Sequence, residues 1–225
     1  MATELWANTI SLDTPAGRVL KKLTALLPQD RRFSITVFGS APIQMTVAPS
    51  LLSADIDLFC DDASLQELVA AARMDKLHTD FYVQVSSALN FQTSPLWGTR
   101  SQSVRIGNCT FVIPHPIDIL IAKLNRLEEK DLEAFRVVLK KTGHPTEAEL
   151  ISELQLAVDL FRPRFDEEGA PDFSTNTRRL WPLLYGREID VRQEIIVPAL
   201  AQRKAGYGLP SRDYKQELKE ELARR

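Results

Sequence analysis

The sequence is short of the residues and patterns on which several common protein classes depend. Its 225 residues include only two cysteines, Cys60 and Cys109, and no Cys-x-x-Cys pair or Cys/His cluster. Neither a disulfide framework nor a zinc site is therefore expected. No apolar stretch approaches about 18 residues, and the first residues lack the basic start and apolar centre of a secretory signal. We therefore expect a soluble, cytoplasmic protein that does not act in a membrane.

An excess of positive charge is also absent. The net charge of −2 argues against strong non-specific nucleic-acid binding, because such binding depends on counterions released at many lysine and arginine contacts. A local basic patch is still compatible with this balance. The length and the 44% of hydrophobic residues suffice for one catalytic domain with a buried core and a helical extension.

What the sequence does contain is a pair of strand-like segments between residues 34 and 62. In the first, β-branched and aromatic residues end at Gly39-Ser40; in the second, polar and apolar residues alternate from Asp55 to Cys60. Because strand side chains alternate between faces, Asp55 and Asp57 share one face. At about 3.3 Å per residue they lie roughly 6.6 Å apart, and at an effective dielectric of about 20 they repel by an energy on the order of 2.5 kcal/mol. A divalent cation between them would remove that repulsion.

These residue types suit a site for magnesium and a nucleotide. Magnesium is usually bound by one or two carboxylates together with phosphate oxygens. Gly39 allows the backbone to approach a phosphate closely, and Ser40 offers a hydroxyl and an N–H to the same group. The simpler alternative is a solvated Asp-x-Asp strand edge and an ordinary Gly-Ser turn. The stretch from Ser40 to Asp55, with its two prolines, is predicted to be a long loop.

Together, the Gly39-Ser40 turn and the Asp55 and Asp57 pair, with Ser53 just ahead of it, resemble the DNA polymerase beta type nucleotidyltransferase superfamily. The resemblance implies an α+β fold, in which a small mixed β-sheet nucleotidyltransferase core is flanked by helices and followed by a helical C-terminal half. It also implies that Asp55 and Asp57 hold magnesium and that Gly39 and Ser40 contact the nucleotide. The expected reaction transfers a nucleoside monophosphate from a nucleoside triphosphate to an acceptor hydroxyl.

The patterning of the chain changes at Pro114. Before it, a helix opened by Pro15 and a helix after Ser64 alternate with strand patterns, which include Phe81 to Val85 and a hairpin that turns at Gly107-Asn108. After it, only helical patterns follow. We therefore predict a nucleotidyltransferase core at residues 1–114 and a helical region, packed on that core, at residues 115–225. The charged helix expected after Ser211 would be a solvated face or a protein partner contact.

A second constellation lies in the helical patterns from Pro116 to Phe135. Lys123 interrupts an apolar helix, so its ammonium must reach acids or phosphate, or extend to water. Asp131 opens the next helix, where a role as N-cap would need no chemistry. This arrangement resembles the abortive-infection type nucleotidyltransferase toxins and related uncharacterised proteins. The resemblance implies that Lys123 holds the nucleotide phosphates and that Asp131 positions Lys123 or the acceptor, in a toxin or defence setting.

A third acid, which the superfamily usually carries on a neighbouring strand, has no firm candidate. Alternation puts Gln84 at the facing position, and only Asp80 or Asp131 is expected to complete the site. Slow catalysis, or an inactive module that binds a nucleotide, RNA or protein, therefore stays an alternative. The acceptor is open among small antibiotics, protein and RNA, and the resemblance favours a macromolecule. Trp97, in the loop before the hairpin, is expected to pin that loop to the core, with stacking on a base as the alternative.

Overall fold

A computed structural model describes residues 9–51, 53–162 and 172–206. Within these ranges one sheet is built from β1 (Phe33–Phe38), β2 (Asp55–Cys60), β3 (Tyr82–Val85), β4 (Gln102–Ile106) and β5 (Cys109–Ile113). The strand order is β3-β2-β1-β5-β4. β1 is antiparallel to β2 and parallel to β5, and β2 is parallel to β3, while β4 and β5 form the predicted antiparallel hairpin. The expectation of a small mixed sheet is confirmed.

Two helices cover one face of this sheet. Leucines of both helices share a hydrophobic cluster with Ile35, Ile56 and Leu58. Because strand side chains alternate, Asp55 and Asp57 lie on the opposite face. The predicted separation of the two faces of β2 is therefore correct. The helices of the N-terminal part are α1 (Pro15–Leu26), α2 (Ala41–Thr46), α3 (Leu65–Ala71) and α4 (Trp97–Arg100), with a 3-10 turn at Ala88–Asn90; those on the covered face are α1 and α3.

The stretch between the Gly-Ser turn and the acids is not wholly a loop. It contains α2, in which Pro42 occupies the first turn and Ile43 and Met45 are buried. A proline in the first turn loses no helical hydrogen bond, so it favours a helix start as much as a loop. The expectation of a continuous loop is wrong at this helix, and Ser40 is its N-cap residue.

The C-terminal half is helical, as predicted. Most of its helices contribute to one hydrophobic cluster, which includes Phe135 and Trp181 and also Phe38 and Ile43 from the end of β1 and from α2. The helical half therefore packs on the sheet through the same region that carries Gly39. The helices are α5 (Pro116–Lys123), α6 (Glu129–Thr142), α7 (Glu147–Leu156), α8 (Phe173–Tyr185) and α9 (Val197–Gly206), with a 3-10 turn at Val158–Phe161 and a π-helical segment at Val191–Ile196.

The remaining expectations concern membrane spans, the C-terminal end and the domain boundary. Among the described residues, no helix has the length and apolar character needed to cross a membrane. The charged helix predicted after Ser211 lies outside the described residues. The boundary proposed at residue 114 stays a prediction.

Candidate active site

The strand pairing brings the two predicted phosphate-site motifs together. β1 and β2 pair so that Phe38 lies opposite Asp57, which puts Gly39 directly beside that acid. Gly39 has a φ of +68°, and a Cβ at this position would lie 2.2 Å from Asp57 Oδ2. Glycine is therefore required here both by the backbone conformation and by the close approach of the carboxylate.

Asp57 is a half-buried acid with incomplete charge compensation. Burial and the neighbouring charge of Asp55 raise the pKa of Asp57 to about 6, although Arg126, Lys123 and Lys130 act in the opposite direction. The Asp55 carboxylate accepts a hydrogen bond from the Ser53 hydroxyl at 3.0 Å. A bound cation would favour the ionised form of both acids.

Lys123, the last residue of α5, points toward the same site. Its side chain is only 7% exposed, and Nζ donates hydrogen bonds to Ser40 Oγ at 3.0 Å and to Asp131 Oδ1 at 2.7 Å. It also lines a pocket together with Asp57. The ammonium therefore lies between the Gly-Ser turn and an acid of α6 and not in bulk water.

Asp131 is the acid that holds this lysine. It is fully buried, and its Oδ2 accepts hydrogen bonds from Arg126 Nε and from the Glu128 backbone N–H, both at 3.1 Å. Burial alone would raise the pKa of Asp131, but the hydrogen bond from Arg126 and the charge of Lys123 lower it below its usual value. The N-cap of α6 is Glu128, and Asp131 is the third helical residue of a capping box. The N-cap role considered for Asp131 is therefore wrong.

Gly39, Asp57 and Lys123 line a pocket of about 510 Å³ between the sheet and α5. Ser40, Asp55 and Asp131 are not part of its lining. Ser40 and Asp131 hold the ammonium of Lys123, and the charge of Asp55 raises the pKa of Asp57. The lining residues are Phe38, Gly39, Asp57, Gln84, Ser86, Leu89, Asn90, Phe91, Gln92, Ile119, Ala122, Lys123, Asn125 and Arg126.

The position facing the acids on the neighbouring strand holds an amide. In the parallel register of β2 and β3, Gln84 pairs with Asp57 and Tyr82 pairs with Asp55. Asp80 is exposed and precedes the strand, and both oxygens of Asp131 already accept hydrogen bonds. Within residues 9–51, 53–162 and 172–206, no group of three His, Cys, Asp or Glu side chains could hold a metal ion. The acid pair therefore has no third carboxylate in this part of the chain.

One wall of the pocket has no counterpart in the sequence predictions. It is formed by residues 86–92, directly after β3. Because β2 and β3 are parallel, their carboxyl ends lie at the same end of the sheet, which places this segment beside Asp57. Only a prediction of that parallel pairing could have placed the segment there from the sequence. Phe91 packs between Phe38, at 5.7 Å between ring centroids, and the edge of Trp97, at 5.4 Å. Trp97 does not line the pocket, so it pins Phe91 and does not stack on a ligand there.

Comparison with known families identifies the class of this fold. A family model described as a nucleotidyltransferase of unknown function, DUF6036, matches residues 17–142, which is more than half of the chain. The chain belongs to this family. No curated protein and no solved structure matches it significantly.

The match to the nucleotidyltransferase family runs from α1 to the end of α6. It therefore includes Gly39, Asp57, Lys123 and Asp131, which come from both sides of the boundary predicted at residue 114. The relation to the abortive-infection toxins stays a prediction, because the family description names no substrate and no biological role.

The donor atoms of the site fit a magnesium ion. Asp55 and Asp57 present two carboxylates on one face of β2, and magnesium is commonly bound by one or two carboxylates with waters and substrate phosphates completing the shell. The raised pKa of Asp57 shows that the protein leaves its negative charge unfavourable, which is the condition that a divalent cation would relieve. Asp55 and Asp57 are therefore the residues that could hold such an ion.

Proposed function

We propose that this nucleotidyltransferase binds a nucleoside triphosphate with magnesium in the pocket beside α5. It would transfer the nucleoside monophosphate to an acceptor hydroxyl and release pyrophosphate. The observation that carries the proposal is that Gly39, Asp57 and Lys123 line one pocket. Gly39 and Asp57 belong to the Gly-Ser and Asp-x-Asp motifs. Lys123 comes from α5, 66 residues further along the chain than Asp57. The pocket therefore combines an acid, a close backbone approach and a buried cation, which are the groups that a metal-bound triphosphate needs.

Each residue has a separate role in this proposal. Lys123 binds a phosphate oxygen, and Ser40 and Asp131 fix the position of its ammonium through their hydrogen bonds. Gly39 lets the backbone approach the phosphates, and the half-exposed Arg126 adds positive charge at the pocket wall. Magnesium held by Asp55 and Asp57 would neutralise the charge that develops on the transferred group. Positioning and charge neutralisation are the main sources of rate in phosphoryl transfer.

The proposal also includes a class of acceptor and a biological setting. The resemblance of the Lys123 and Asp131 segment to toxin nucleotidyltransferases supports a macromolecular acceptor, either RNA or protein. A toxin or defence role would follow from such an acceptor. The C-terminal helices would then be available for a protein partner.

Thermal unfolding of the full chain with each of the four nucleoside triphosphates, in magnesium or in EDTA, tests the binding step. A ligand at about 100 times its dissociation constant adds roughly 2.7 kcal/mol, which is about 5 to 10 °C for a chain of this size. We expect this shift only with magnesium, and we expect it to be lost in Asp57→Asn. An equal shift in Asp57→Asn would contradict the proposal.

A binding module without catalysis is the second candidate. The observation that favours it is the amide of Gln84 at the position that faces Asp57, because a neutral amide is a weaker magnesium ligand than a carboxylate. Pyrophosphate release with mixed RNA and protein acceptors separates the two candidates. Release that exceeds the level of Asp57→Asn supports the enzyme, whereas nucleotide binding with no release above that level supports the module.

A further inference from the structure

We propose that the pocket has a nucleobase subsite, which favours adenine, on the wall formed by Ser86, Leu89, Asn90, Phe91 and Gln92. We call these five residues the base wall. The inference rests on the proposed function, because it assumes that a triphosphate occupies the charged part of the same pocket. It adds the identity of the nucleotide, which neither the family description nor the acid motif contains.

The charged and uncharged parts of the pocket lining come from different segments. The charged side chains in the lining are Asp57 of β2, Lys123 at the end of α5, and Arg126 just after that helix. The base wall contributes apolar, hydroxyl and carboxamide groups only. A triphosphate needs the first set, and an uncharged flat base needs the second.

The base wall is held in place by contacts on both sides. The Ser87 hydroxyl caps the 3-10 turn by accepting a hydrogen bond from the Leu89 N–H at 3.2 Å. Asn125 Nδ2 of the segment after α5 donates to the Gln92 carbonyl at 3.0 Å, and Thr93 Oγ1 donates to the Asp118 carbonyl of α5 at 2.6 Å. The wall is therefore tied to the element that carries Lys123, which fixes the distance between the two parts of the pocket.

Apolar groups reach this part of the pocket from two segments. The base wall contributes Leu89, which is 79% exposed, and the partly exposed Phe91, while α5 contributes the partly exposed Ala122 and the buried Ile119. A planar base bound here would remove apolar surface, most of it that of Leu89, from water. A purine covers more of this surface than a pyrimidine because its ring system is larger.

Carboxamides are the groups that can recognise the edge of this base. Asn90 lies on the base wall, and Gln84 lies on β3 two residues before it; both side chains are exposed and line the pocket. A carboxamide pairs with the donor and acceptor of adenine in one bidentate contact, whereas guanine is most often recognised by arginine or lysine. The base wall has no charged side chain, and the two cations of the pocket, Lys123 and Arg126, are both held by Asp131, so adenine is the purine that it fits.

Calorimetric titration of the full chain in magnesium tests this subsite with ATP, GTP, CTP, UTP and inorganic tripolyphosphate, which has no base. We expect ATP to bind roughly tenfold more tightly than GTP and than tripolyphosphate. Leu89→Ala is expected to weaken ATP about fivefold without changing tripolyphosphate. Leu77→Ala is the matched control, because Leu77 is 89% exposed and lies outside the pocket lining, and it should change neither ligand.

Asn90→Ala tests recognition of the base edge. It should reduce the preference for ATP over GTP while tripolyphosphate binds as in the wild type, and its exposed position makes a folding defect unexpected. Equal affinities for all five ligands would overturn the subsite and leave the triphosphate site intact. A preference for GTP or a pyrimidine would overturn adenine selection. Failure of tripolyphosphate and every nucleotide to bind would overturn the proposed function and the subsite together.

Discussion

The half-buried Asp57 and the fully buried Asp131 have opposite electrostatic environments. Asp131 is surrounded by donors from Lys123, Arg126 and the Glu128 backbone, and its pKa is lowered. Asp57 lies near Asp55 and has a pKa raised to about 6 by burial and that neighbouring charge. The cations and donors around Asp131 therefore outweigh its burial, whereas the more distant cations near Asp57 do not.

The difference lies in how many cationic partners each acid already has. The oxygens of Asp131 are occupied by Lys123, Arg126 and a backbone N–H, so a metal ion would add little there, whereas a cation near Asp57 would favour its ionised form. In the proposed function Asp131 therefore positions Lys123, and Asp57 is the residue expected to change its charge environment on binding. Substitutions of Asp131 and of Asp57 should separate these two proposed roles.

Asp131→Ala should have the largest effect on stability. It leaves the ammonium of Lys123 buried without its closest acid, and loss of one partner of a buried pair costs about 3 kcal/mol or more. For this chain length we expect a fall of roughly 6 to 12 °C in the unfolding temperature. Thermal unfolding measures it, and Glu129→Gln is the control because Glu129 is an exposed acid in the same helical turn, with only surface ion pairs. Equal changes in the two variants would mean that Lys123 finds a new partner or water.

Asp57→Asn should act in the opposite direction on stability. A folded pKa raised above 3.8 gives a contribution that is present below pH 3.8 and is lost as the pH rises through about 6. The amide keeps the neutral form, so we expect the variant to be more stable than the wild type at pH 7.5 by an amount on the order of 2 kcal/mol. Magnesium-dependent nucleotide binding should be abolished at the same time.

The pH dependence of that difference is the sharper measurement. Asp118 also has a pKa raised to about 6, because burial outweighs its hydrogen bonds with Arg100, so the wild-type profile alone combines both acids. Subtraction of the Asp57→Asn profile removes the contribution of Asp118. The remaining difference should disappear near pH 4 and reach its full size above pH 7, whereas a difference independent of pH would show that Asp57 is not the group with the raised pKa.

Gly39→Ala should have a smaller effect on stability. The same substitution at Gly143 serves as the comparison. Gly39 and Gly143 have φ values of +68° and +73°, but only a Cβ at Gly39 meets Asp57, while nothing lies within 4 Å of one at Gly143. Both variants should lose about 1 kcal/mol to backbone strain. We expect Gly39→Ala to lose about 1 kcal/mol more, since the Asp57 side chain must move, and to lose triphosphate binding. Chemical denaturation of both variants gives the comparison.

Local patterns predicted much of this fold because its strands and helices follow short-range rules. Alternation placed Asp55 and Asp57 on one face of β2, and turn residues located the hairpin at Gly107-Asn108. The helix at Pro42 was missed because proline in a first turn looks the same in sequence as proline in a loop. Local sequence propensity therefore predicted which helices and strands form better than it predicted where they begin.

The site was predictable only where neighbours in sequence are also neighbours in space. Gly39 and the acids are joined by paired strands, but the base wall reaches Asp57 only because β3 lies at the edge of the sheet beside β2. The buried ion pairs of Arg100 with Asp118 and Glu153 join three separate helices, and no spacing rule connects such positions. Tertiary packing decides contacts of this kind, so a single sequence does not contain them in readable form.

Of these substitutions, Ser40→Ala should have the smallest effect on stability. It tests which contacts position Lys123. The variant removes the hydroxyl that accepts from Nζ at 3.0 Å but leaves the 2.7 Å contact with Asp131. Loss of one such hydrogen bond costs about 1 kcal/mol, so unfolding should change by a few degrees at most.

Triphosphate affinity in magnesium is the informative readout for Ser40→Ala, and Ser40→Thr is the matched control because it keeps a hydroxyl. If Ser40 and Asp131 together aim the ammonium at the phosphates, Ser40→Ala should weaken tripolyphosphate and all four nucleotides by the same factor of about five, and Ser40→Thr should restore most of the affinity. Unchanged affinity in Ser40→Ala would assign the positioning of Lys123 to Asp131 alone. In that case the Gly39-Ser40 turn would contribute to binding only through its backbone and its approach to Asp57.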